Sequence, residues 1–84
     1  MTKALATRVV YHVARVRWDT DWKWAVKREG EPAEIYYCET QKLAIEAAKK
    51  LAKAAPLGQV VVHGRNGRIR LEYTYGKDPE RHKG

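Results

Sequence analysis

The segment TQKLAIEAAKKLAKAAPLG, residues 40–58, carries the one helical pattern in the chain, and the rest of the fold is arranged around it. At 100° per residue Lys42, Glu46, Lys49, Lys50 and Lys53 share one arc, while Leu43, Ala44, Ala47, Ala48, Leu51 and Ala55 cover the other. Thr40 is a good N-cap, although Leu43 stands where a capping box would put Glu or Gln. Pro56 and Gly58 stop the helix. The pattern predicts an amphipathic helix over residues 41–55. Its contact face is mostly alanine, which lets its axis approach a sheet closely and leaves larger sheet residues to fill the space. Leu51, near the centre of that face, is expected to be fully buried.

On the N-terminal side three segments alternate with period two. Val9 to Trp18 puts Val9, Tyr11 and Val13 on one face and Val10, His12, Ala14, Val16 and Trp18 on the other, so both faces are partly apolar and the strand reads as central. After the turn cluster Asp19-Thr20-Asp21, residues 22–27 alternate Trp22, Trp24 and Val26 with Lys23, Ala25 and Lys27, completing a hairpin. Glu29-Gly30-Glu31-Pro32 interrupts, and residues 35–38 form a third strand. Beyond the helix, residues 59–63 are a valine-rich strand. Gly64-Arg65-Asn66-Gly67 predicts a tight type I′ hairpin, because Asn-Gly tolerates positive φ at both central positions. Residues 68–75 then alternate, with Ile69, Leu71, Tyr73 and Tyr75 inward against Arg68, Arg70, Glu72 and Thr74 outward.

The order β-β-β-α-β-β therefore predicts a single two-layer α+β domain over residues 1–76: a mainly antiparallel sheet with one helix packed on one face. A right-handed crossover places the fourth strand parallel to the first and beside it, giving sheet order 3-2-1-4-5. Residues 77–84 lack any apolar side chain and read as a basic disordered tail; the first six or seven residues are expected to fray.

Eighty-four residues leave room for one small core and no separate cofactor domain. One cysteine, Cys38, excludes an intramolecular disulfide and any zinc finger, and it suits a reduced cytoplasmic setting. No apolar run approaches the ~18 residues of a membrane span, and the N-terminus lacks the apolar core of a secretory signal. The expectation is a soluble cytoplasmic protein with no membrane partner. Seventeen Lys and Arg against ten Asp and Glu leave +7, unevenly spread: +5 over residues 1–28, −4 over 29–46 and +6 over 47–84. If the basic ends meet in the fold, they make the electrostatic footprint of a polyanion binder.

Tyr11-His12-Val13, Trp24-Ala25-Val26-Lys27-Arg28-Glu29-Gly30, Thr40-Gln41 with Ala44-Ile45-Glu46-Ala47-Ala48, and Val61-Val62-His63-Gly64-Arg65-Asn66-Gly67-Arg68-Ile69 occur in an order that resembles a family of small prokaryotic proteins known as domain of unknown function 2188. Thr74-Tyr75-Gly76-Lys77-Asp78-Pro79 also looks like that family. The resemblance implies a compact α+β domain and carries over no catalytic residue. The Trp-bearing first hairpin and Ile35-Tyr36-Tyr37 depart from the family pattern and enlarge the aromatic surface.

For nucleophilic catalysis the chain offers no serine and only Cys38, His12, His63 and His82. His12 and His63 become neighbours if the first and fourth strands pair, but no ligand spacing supports a metal site, and the expectation is neither enzyme, metal nor cofactor. The Gly64 to Gly67 turn precedes a strand instead of a helix, so it is no nucleotide-cradling loop. Arg65, Arg68 and Arg70 instead place three guanidiniums on one hairpin, with Arg15, Arg17, Lys23, Lys27 and Lys77 as possible neighbours, a set suited to phosphate oxygens. Trp18 and Tyr36 are the exposed aromatics expected to stack on unpaired bases, whereas Trp22 and Trp24 read as core. The expected function is a small nucleic-acid-binding module, for DNA or RNA, with phosphate contacts dominant and little sequence discrimination. The alternative is a protein-interaction or self-associating module that uses the exposed edge of the third or fifth strand.

Overall fold

The computed structural model describes residues 8–76; the expected fraying of the first residues, the tail 77–84, Lys77 and His82 lie outside them. Five strands and one helix follow in the expected order: β1 (Val9–Trp18), β2 (Asp21–Arg28), β3 (Glu34–Cys38), α1 (Gln41–Ala54), β4 (Gly58–His63) and β5 (Ile69–Tyr75). The sheet order is β3-β2-β1-β4-β5. β1 runs parallel to β4, and the other neighbours are antiparallel.

Thr40 caps α1, its Oγ1 accepting the Leu43 N–H at 3.1 Å. The helix lies mainly over β1 and β4. Between them is a core of Tyr11, Val13, Val26, Val60 and Val62 under Ala44, Ala48 and Ala52. The small methyl groups bring the helix close, and the β-branched valines fill the layer beneath.

The buried stripe corrects the helical reading at Leu51. Ala44, Ala48 and Ala52 point straight down, and Leu51 packs from the side, only partly buried. A stripe of i, i+4 alanines minimises the helix–sheet distance, so the longer leucines go to its flank; Leu43 is exposed. Leu51→Ala is therefore expected to cost about 1 kcal/mol, since only part of the side chain leaves water on folding, with a melting shift of roughly 4–8 °C by calorimetry.

β5 is corrected in the same sense. Tyr73 and Tyr75 pack on the core, but Leu71 is exposed, and Ile69, which pairs with His63 beyond a register shift, falls on the other face and is 58% exposed. The helix only reaches the margin of this edge strand, where Lys49 lies 4.1 Å above the Tyr73 ring centroid and Lys53 lies 5.5 Å above that of Tyr75. These two lysines, from the polar arc of the helix, cover the tyrosines with their stems and charges.

The last hairpin is three residues long, not a type I′ turn. Gly67 N–H donates to Gly64 O (2.9 Å) and Gly64 N–H to Arg68 O (2.8 Å), and of the central residues only Gly67 has positive φ, +83°. Asn66 has no positive φ; its Oδ1 instead accepts the Arg68 N–H at 3.0 Å. The left-handed glycine follows an ordinary turn, a common three-residue solution.

Candidate functional site

β4 follows β1 only as far as the pair Val13↔Val62. β1 continues to Trp18 against β2 alone, while β4 turns away into the last hairpin. At about 3.3 Å per residue the ten residues of β1 run to roughly 33 Å, whereas the fourteen of α1 span about 21 Å. The helix therefore leaves the far end of its own side of the sheet uncovered, and two arms project past its N-terminus.

On the first arm, cross-strand pairing sets Arg15 opposite Trp24 and Arg17 opposite Trp22. The guanidinium carbons of Arg15 and Arg17 lie 4.5 and 5.1 Å from the Trp22 ring centroid, a double cation–π contact. Trp22 is 49% exposed, and Trp24 is half-buried. Both were read as core from their shared face. The face is right, but the helix ends too soon to cover Trp22.

On the second arm a bulge re-aims Arg70. Val62 pairs with Leu71 and His63 with Ile69, so Arg70 is the extra residue on β5. Its guanidinium donates to Gln41 Oε1 at 2.6 Å, and Gln41 Nε2 donates to the His63 carbonyl at 3.2 Å. Arg70 thus reaches the helix start instead of projecting outward as strict alternation predicts. Arg65, Arg68 and Arg70 line one open depression of about 550 Å³ at the hairpin tip.

Between the arms lies a cleft of about 490 Å³ lined by Trp24, Glu39, Thr40, Gln41, Arg65 and Arg70, with Gly64. A smaller notch joins Arg15 to Arg65 and Gly67 where β1 and β4 separate. The first turn of α1 holds no acidic residue, so the partial positive charge of the helix start adds to the arginine field. The one carboxylate in the cleft, Glu39, is ion-paired with Lys23. That hydrogen bond also raises the Lys23 ammonium above its ordinary pKa, so it stays charged. Among the described residues, Arg15, Arg17, Arg65 and Arg70 have no carboxylate partner.

The ten sequence candidates therefore do not form one surface. Arg15, Arg17, Arg65 and Arg70 gather at the arms, with Arg68 beside them. Trp18, Lys23 and Lys27 lie on the opposite sheet face, as the pairings Trp18↔Asp21, Val16↔Lys23 and His12↔Lys27 require. There Trp18 packs on Tyr37, ring centroids 4.3 Å apart. The Tyr37 hydroxyl donates to Glu34 at 3.0 Å, and this bond pushes its pKa up. Tyr36 is exposed, as expected, but lines a separate groove with Leu43 and Leu51 between β3 and α1. Lys77 is outside the described residues.

His12 and His63 do meet. His12 Nδ1 lies 2.9 Å from His63 Nε2, His12 Nε2 lies 2.7 Å from Glu29 Oε1, and His63 Nδ1 lies 3.2 Å from the Gly67 carbonyl. Carbonyl and carboxylate only accept, so His63 Nδ1 donates to Gly67 and His12 Nε2 donates to Glu29, and a proton carried by either ring makes the bond between them. All four ring nitrogens are engaged in these contacts, and among the described residues no group of three metal-ligating side chains occurs. This chain ties the last hairpin to β1 and β2. Cys38 sits on the other face, partly buried beside Trp24, and burial pushes its thiol pKa up. Cys38 is expected to react with a disulfide reagent at least about tenfold more slowly in the folded protein than after denaturation, followed by thiolate release.

No helix among the described residues is long and apolar enough to cross a membrane. No curated protein and no solved structure matches the chain significantly. Residues 11–75, from the third residue of β1 to the end of β5, match a family described as uncharacterized protein conserved in bacteria, and the chain belongs to this family, DUF2188.

Proposed function

We propose that this protein is a nucleic-acid-binding module that holds the phosphate backbone between its two arms, with little sequence discrimination and without a catalytic step. The observation that carries the reading is that Arg65 and Arg70 line a cleft that also presents Trp24, with Arg15 at the adjoining notch and Arg17 farther out on the same arm, none of the four with a carboxylate partner among the described residues. Guanidinium forks match phosphate oxygens in pairs, and arginines left unpaired in one place repel each other until an anion arrives. A cytoplasmic setting, where Cys38 stays a thiol, suits this role.

Titration of the protein with duplex DNA, single-stranded DNA and structured RNA at two salt concentrations tests it. Binding is expected to be tightest at low salt and to weaken steeply as salt rises, because each neutralised phosphate releases counterions. Absence of binding to all three at low salt overturns the reading.

A second reading, association with a protein or with another copy through β3, is favoured by one observation: Ile35, Tyr36 and Tyr37 are all exposed on an edge strand. Salt-insensitive association that ignores nucleic acid, detected by sedimentation, selects it instead.

A further inference from the structure

We infer that the cleft at the start of α1 receives an unpaired nucleotide of a single-stranded nucleic acid, its base against Trp24 and its flanking phosphates on Arg65 and Arg70. This rests on the nucleic-acid reading and adds a strand preference to it.

Three observations carry the inference. The first is the difference between the two tryptophans on the arm. Trp22 already holds two guanidiniums over its ring and serves as their platform, whereas no cation lies over Trp24 among the described residues. Trp24 is the aromatic ring that lines the cleft. The second is size. About 490 Å³ falls within the usual range of small-ligand sites and accommodates a nucleotide. A duplex keeps its base faces stacked inside and offers only edges and backbone, so a ring recessed between two arms can engage a base face only in an unpaired strand. The third is preorganisation. Arg70 uses one of its five N–H donors on Gln41, which is itself held by the His63 carbonyl, so the rest of the fork is aimed without being consumed.

The other aromatic pair is less suited. Trp18 and Tyr37 already pack on each other, and the neighbouring Lys23 is taken by Glu39. A base landing there has to displace an existing ring contact.

The test compares a 12-nucleotide single strand, as DNA and as RNA, with a hairpin duplex of the same length at one low salt concentration. The single strand, of either sugar, is expected to bind at least tenfold more tightly than the duplex. Trp24→Leu is expected to weaken single-strand binding about 5- to 150-fold, the value of one stacked base, and to leave duplex binding unchanged. Trp24→Phe retains most of the affinity. Because Trp24 is half-buried, a second measurement keeps the inference open to refutation if Trp24→Leu does not fold: in a chain carrying Trp18→Phe and Trp22→Phe, the remaining indole emission is quenched by single strand and not by duplex. Equal binding of both forms, equal weakening of both by Trp24→Leu, or no quenching overturns the strand preference while the phosphate reading stands. Failure of every nucleic acid to bind at low salt removes both.

Discussion

Gly58→Ala is expected to lower the melting temperature by at least about 12 °C, corresponding to roughly 3 kcal/mol or more of a small domain's stability. Gly58 opens β4 directly under the last turn of α1 and is buried. A Cβ built there stands 2.1 Å from the Ala52 carbonyl oxygen and 2.9 Å from the Ala52 Cα, which are backbone atoms with no rotamer to yield. Ala52 is itself fully buried, and its carbonyl accepts the Ala55 N–H at 3.2 Å. Relief requires the helix end to lift from Val60, reopening the closest part of the core. Gly67→Ala is the informative contrast. Gly67 has φ +83° but nothing within 4 Å of its added Cβ, so only backbone strain of about 1 kcal/mol is expected. Thermal denaturation followed by circular dichroism separates the two; similar small shifts for both place the helix farther from β4 than described.

The same close contact explains why some features were legible in the sequence and others were not. Strand alternation and the flanking breakers located every element to within a residue or two, and the single helix between β3 and β4 forced a crossover whose handedness set the sheet order. Local patterns do not report where a helix stops relative to the strands beneath it. Trp22 and Val26 share a face, yet Val26 is fully buried and Trp22 is half exposed because α1 covers only one of them. The two-residue turn at Asp19-Thr20 did hold a usable signal: counted outward from Trp18↔Asp21, it puts Arg17 opposite Trp22 and Arg15 opposite Trp24. Bulges are a different matter. The alternation of residues 68–75 is clean in sequence, and only the geometry at Val62 and His63 makes Arg70 the unpaired residue that turns to Gln41. A one-residue insertion changes which side chains share a face without leaving a mark in the hydrophobic pattern.

Replacing Arg15, Arg65 and Arg70 together by Gln is expected to reduce both the affinity for nucleic acid and its dependence on salt. All three approach the cleft or its notch, and none has a carboxylate partner among the described residues, so their loss strands no buried charge. Glutamine keeps a polar side chain at each position, and the melting temperature is expected to change little, as for most surface substitutions. Each phosphate contact contributes about −0.9 to the slope of log affinity against log salt on duplex and about −0.7 on a single strand. Removing three contacts means that a rise from about 50 to about 200 mM salt weakens the variant some 40-fold less than the parent protein on duplex and some 20-fold less on a single strand. The control is a variant of equal net charge, Arg28→Gln with Lys50→Gln and Lys53→Gln, the last in the final turn of α1. Arg28 pairs with Tyr11 at the other end of the hairpin, and Lys50 lines the groove beside Tyr36. If binding is held by contacts at the arms, the control keeps the steep slope of the parent. If both variants flatten it equally, the attraction comes from the diffuse positive field of the whole chain, and the cleft is not where the phosphates sit.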